Sequence, residues 1–243
     1  MNSSSILQTQ KAAKIAGLLF ILNLIVPLFN WVFILSPLKV ENDPIASAKN
    51  ILENEYLFRT GMTVELFMAI GLVLLALFLY KMLQSVNKNL ALLAFSLKLI
   101  EAVLMAITVI IPLIALQFLN KNAELSEFTR NQLLYPIGVI FDSHKALVSV
   151  PMVFLGIDMM LFSSLFLKSR LIPPCIAGLG ILSFALILIH ALMFIVAPQY
   201  AIKPINQLIF WTPSGFFEIV AGLWLLIKGI NTHLFITKYE SSK

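Results

Sequence analysis

Charge is what this sequence has least of. Asp, Glu, Lys and Arg make up 12% of its 243 residues, while 60% are hydrophobic and the mean hydropathy is +0.94. A soluble domain carries roughly 25% charged residues. So few charges cannot cover a water-exposed surface, and the class is a membrane protein. Cysteine is nearly absent as well. Cys175 stands alone, which excludes a disulfide within the chain and a cysteine metal site. Set between Pro174 and an apolar run, it reads as an inert small hydrophobe.

Histidine occurs three times, at His144, His190 and His233. No pair has the H-E-x-x-H or H-x-x-x-H spacing that puts two imidazoles on one helix face, so no metal is expected. The G-x-S-x-G elbow of a serine hydrolase is missing. So is a Gly-rich phosphate loop, and no cofactor is implied. The net charge of +5 and pI near 9.3 do not indicate nucleic acid, because no basic cluster is interleaved with aromatics.

What is present is a series of long apolar runs. A spanning helix needs about 20 mainly apolar residues, and six segments qualify: 15–35, 61–83, 90–118, 146–167, 171–196 and 207–227. The continuous runs predict an all-α, polytopic membrane helical bundle, since barrel strands would alternate. One transmembrane domain covers the chain. The fourth run could also begin near Ile137. The first is too long for a signal-peptide core and lacks a small-residue cleavage site, so it is expected to be retained. Residues 36–60 and 119–145 form the longer outer loops. In the first, Asp43 followed by Pro44 has the cap-and-first-turn pattern of a short surface helix. No strong internal repeat is visible.

Lys and Arg counts orient the chain. One side carries nine and the other seven, and Lys98 lies within a span. The short linkers "LQSVNKN" and "KSR" are basic and free of acids, whereas the long loops carry acids. Both termini are therefore expected on the cytoplasmic side, in a bacterial cytoplasmic membrane. Tyr80 and Trp224 would mark the inner interface, and Trp31 and Trp211 the outer one.

The informative residues are ionisable groups inside the runs. "LKLIEAVLM" places Lys98 and Glu101 in a stretch, residues 90–119, with no other charge. At about 1.5 Å per residue, Glu101, Asp158 and Glu218 each lie roughly 15–16 Å from the near end of their spans. Three carboxyls on three helices thus share a level near the midplane. An ionisable group there costs about 2.5–3.5 kcal/mol on insertion scales, so it must face protein or water. Lys98 and Glu101, three apart, share a helix face and can neutralise each other. One Lys cannot balance three carboxylates. Glu65, His190, Asp142, His144 and Lys145 lie nearer the outer face, with Arg59 at its edge. The bland reading of all these groups is interhelical glue. The sharper one is a polar cavity for a proton- or cation-linked ligand. Pro27, Pro112, Pro151 and Pro213 either shape the packing or break helices that line such a cavity.

The order of "LFRTG", "VNKNLALLAF", "LKLIEA", "FDSHKALV", "FLGIDMMLFSSLFLKSRLIPP" and "GLWLLIKG" resembles a bacterial membrane-protein family known as domain of unknown function 4386, over roughly residues 10 to 230. Lys98 stands where the resemblance implies an Arg, and Pro174 where it often implies a basic residue. The family implies architecture and no settled activity.

Three functions remain open: a binding or transport protein with a polar intramembrane cavity, an intramembrane enzyme acting on a lipid or isoprenoid, and a structural or sensory subunit. The small loops favour membrane lipid and an apolar or amphipathic small ligand as partners. Topology is directly testable. Reporter fusions at residues 50 and 125 should report the outer side and a C-terminal fusion the cytoplasm; a C-terminus on the outer side would overturn the orientation.

Overall fold

In the computed structural model, residues 3–121 and 127–231 are described, without the side chains of residues 3–6, 127–131 and Lys145. His233 and the side chains of Arg130 and Lys145 therefore fall outside the described parts. The described chain is helical: α1 (Ser3–Asn30), α2 (Pro44–Glu53), α3 (Glu55–Leu83), α4 (Lys88–Lys121), α5 (Glu127–Asp142), α6 (His144–Ser169), α7 (Pro174–Val196), α8 (Pro198–Ala201) and α9 (Pro204–Ile227). Six stretches are long and apolar enough to cross a membrane: Leu7–Leu38, Glu55–Leu83, Lys88–Lys121, Gln132–Ser169, Pro174–Val196 and Pro204–Ile227. The protein is a polytopic all-α membrane protein with six spans. Phe67, Ile114, Leu208 and Phe216 stand exposed on these helices, which suits hydrocarbon and not water.

The helix ends follow local chemistry. Helices α2, α7, α8 and α9 each start with proline at the first turn, where its missing N–H would be unpaired anyway. Asp43 caps α2 by accepting from Ala46 N at 3.0 Å, and Asn87 caps α4 by accepting from Leu90 N at 3.1 Å. After α9, Gly229 has φ +72° and its N–H returns to Trp224 O, a left-handed closure that favours glycine.

Three features differ in extent from the sequence reading. Helix α1 leads into a π-turn over Trp31–Leu35 and a 3-10 turn over Ser36–Leu38. Helix α4 has 34 residues, about 51 Å, so it runs past the hydrocarbon thickness into what reads as the second loop. The fourth span is two helices, α5 and α6, parted by Ser143. The Ser143 hydroxyl donates back to Val139 O at 2.6 Å, the kind of local bond that competes with helix continuation.

The chain divides into two compact units. One comprises Met1–Leu24, Ile70–Ala102 and Ser149–Lys243. Here Phe217 of α9 meets Phe20 of α1 and Phe184 of α7 edge to face. Gly17 and Gly222 bring the backbones of α1 and α9 together. A Cβ on Gly17 would lie 2.6 Å from Gly222 O and Leu226 N. Gln10 clasps Ile230, donating to its carbonyl at 2.9 Å and accepting from its N–H at 3.2 Å. The other unit comprises Ile25–Ala69 and Val103–Val148. In it α2 packs on α5, with Leu35, Ile51, Phe58, Leu116 and Phe141 in the core.

The glycine contacts generate a paired expectation. Gly17→Ala forces two backbones apart and should cost about 1–3 kcal/mol. A methyl group on Gly178 would meet nothing within 4 Å, so Gly178→Ala should be neutral or stabilising by up to about 1 kcal/mol. Thermal unfolding in detergent separates the two, and equal melting shifts would refute the close contact.

Candidate functional site

Lys98 is the centre of the first unit's polar cluster. Its side chain is 1% exposed, that of Glu101 2% and that of Asp158 0%. The ammonium donates to Glu101 Oε2 at 2.8 Å. One helical turn separates the two, so α4 alone sets this pair. Asp158 comes from α6, and its Oδ1 lies 3.2 Å from Lys98 Nζ. That approach is within ion-pair range but off hydrogen-bond alignment, and neither Asp158 oxygen has a hydrogen-bond partner. The Asp158 and Glu101 carboxyls thus lie against the same ammonium, and Glu218 of α9 is half-buried. One ammonium thus meets two carboxyls, one from its own helix and one from α6.

The residues expected near the outer face fall in both units. In the second unit, His144 Nε2 lies 3.1 Å from Glu65 Oε2. Trp31 stacks on the His144 ring at 6.1 Å. Lys39 Nζ sits 5.1 Å from the Trp31 ring centre and donates to Phe141 O at 2.9 Å, placing a cation at the C-terminal end of α5. Asp142 ends α5, half-buried. Arg59 pairs with Glu55 at 2.6 Å along its own helix, and Asn120 donates to the other Glu55 oxygen at 2.9 Å. A cavity of about 20 Å³ opens beside these groups, lined by Trp31, Lys39, Phe58, Phe141 and His144 among others. That is room for about one water.

His190 belongs to the first unit, and both its nitrogens are engaged. Nδ1 accepts from Trp211 Nε1 at 3.2 Å, which leaves Nε2 to donate to Ala201 O at 3.1 Å. The ring thereby fixes the α8 turn against α7 and α9.

Among the described residues no three His, Cys, Asp or Glu side chains converge as a metal site requires. Sequence reasoning took Trp31 only as a marker of the outer interface and counted Lys39 only among the loop cations, so it missed their mutual contact. The signal was a Lys eight residues after a Trp at the end of a span, too loose to single out.

The sequence profile of one family, described as "Domain of unknown function (DUF4386)", matches residues 15–229. The chain belongs to the DUF4386 family. Comparison with curated proteins and with solved structures gives no match. Membership agrees with a multi-pass membrane protein and brings no activity with it, so the chemistry of this DUF4386 protein rests on its own side chains.

The energetics of the cluster can be probed by a mutant cycle. Lys98→Ala removes the ammonium that Glu101 and Asp158 share and should destabilise the solubilised protein by about 3–5 kcal/mol. Glu101→Ala should also destabilise it, and the double change should cost less than the sum. Strict additivity in thermal unfolding would reject direct pairing.

Proposed function

We propose that this DUF4386 protein is a binding or transport-type protein of the bacterial cytoplasmic membrane, holding an apolar or amphipathic small ligand in step with a proton or cation. The observation that carries the reading is charge imbalance. Glu101 and Asp158 share one ammonium, and Glu218 stands in the same field. An uncompensated carboxylate at that depth is expensive. A purely structural cross-link would need one acid per base, so the surplus acid suits a centre that takes up and gives back a positive charge. Ionisable groups inside spans commonly mark such pathways.

The enzyme reading, with Glu101 or Asp158 as acid/base toward a lipid or isoprenoid, has less support. Both carboxyls are closed against Lys98, and a general base must reach a substrate proton at hydrogen-bond distance. A ligand in the second unit would need more room than the water-sized cavity lined by Trp31 and His144.

Native mass spectrometry of protein extracted in mild detergent should detect a retained apolar small molecule whose occupancy falls in Asp158→Asn. A mass equal to the bare chain, in detergent and in lipid nanodiscs alike, would overturn the reading.

A further inference from the structure

We infer that the exchangeable ion at this centre is a proton carried by Asp158, with Lys98 and Glu101 forming a standing ion pair beside it. This deepens the transport reading by naming its coupling ion, and it rests on the placement of the three side chains.

Glu101 holds the aligned bond from Lys98, at 2.8 Å. Asp158 holds none, although it is fully buried and its Oδ1 lies 3.2 Å from the same ammonium. An ionised carboxylate can only accept, and a protonated one carries a donor. With a proton on Asp158, its hydroxyl can donate toward Glu101, whose carboxyl lies against the same ammonium. The set then holds one ammonium, one carboxylate and one neutral acid, and its net charge is zero. The charged groups facing Asp158 are Lys98 and Glu101 of α4. Helix α7 contributes no Asp, Glu, Lys or Arg, and its His190 is engaged by Trp211 and Ala201; Glu218 of α9 feels the charges of Lys98 and Glu101.

A metal cation fits the same place poorly. Oxygen-ligated cations require several converging oxygens, and no three acidic or imidazole groups converge among the described residues. The ammonium of Lys98 already occupies the position between the two carboxylates and would repel a second cation.

Exchange is then a simple proton transfer. The Asp158 O–H bond breaks, the electron pair stays on the carboxylate and the proton passes to water. The set is left with one negative charge in excess. Lys98 has two further N–H donors, and turning one toward Oδ1 meets that charge. The interaction between α4 and α6 therefore differs between the two protonation states, which is the minimum a coupled carrier needs.

The sequence makes the test clean, because it contains three aspartates, Asp43, Asp142 and Asp158. Infrared spectra of the purified full chain in lipid nanodiscs at neutral pH should show the C=O stretch of a protonated carboxylic acid. The band should move to lower frequency when aspartate carboxyls carry ¹³C and should be insensitive to added Na⁺ or K⁺ at constant pH. It should vanish in Asp158→Asn and persist in Glu218→Gln. Absence of a ¹³C-aspartate-sensitive band in the unaltered protein, or its displacement by Na⁺ or K⁺, would overturn the inference; this measurement needs no variant to fold. A band with the expected behaviour in a protein that retains no ligand would leave the proton site standing and reject the transport reading. A band displaced by Na⁺ in a protein that retains a ligand would do the reverse.

Discussion

A single ammonium inside an apolar helix constrains much of the first unit. Lys98 is 1% exposed, too deep to reach an interface by extending its side chain. It must be met by protein groups, and those groups must come from a neighbouring helix as well as its own. Glu101 supplies the local answer. Asp158 supplies the tertiary one and fixes the facing surfaces of α4 and α6. Replacing such a triad by apolar residues of similar volume often leaves a protein as stable or more so. Its presence therefore calls for a reason other than stability, and ion exchange is such a reason.

The second constraint is the backbone. Within hydrocarbon every N–H and C=O must be satisfied inside the protein, so irregularities need explicit compensation. The break at Ser143 is answered by its own hydroxyl on Val139 O and by Lys39 on Phe141 O. Beyond the π-turn at Trp31–Leu35, backbone bonds continue through Ser36 and Lys39. Asn30, just before that turn, donates to Gly61 O at 3.1 Å and ties α1 to α3. Such π-turns are frequent at functional sites, and this one forms part of the wall of the water-sized cavity.

The two clusters behave differently as chemistry. Around Lys98 acids outnumber bases, and both Asp158 oxygens are left without a hydrogen-bond partner. Around Trp31 the polar groups are engaged: His144 faces Glu65, and Lys39 places its ammonium on a helix end and an aromatic face. The second arrangement has the character of a structural plug, and the first that of a site with unused capacity.

The sequence by itself determined the six apolar spans and the start of α2 at Asp43 and Pro44. These follow from local rules: hydrophobic length, first-turn chemistry and the fixed rise of a helix. The Lys98–Glu101 pair belongs with them, since a spacing of three places both on one face whatever surrounds them. The break between α5 and α6 was visible only as an ambiguity between two starting points. Tertiary structure alone decided that Asp158 faces Lys98, that His190 is closed by Trp211 and Ala201, and that Lys39 lies over Trp31. Each of these depends on the rotation of a helix about its own axis. In spans that are apolar nearly all round, the hydrophobic pattern carries almost no information about that rotation. Packing sets it, and packing is a property of the neighbours.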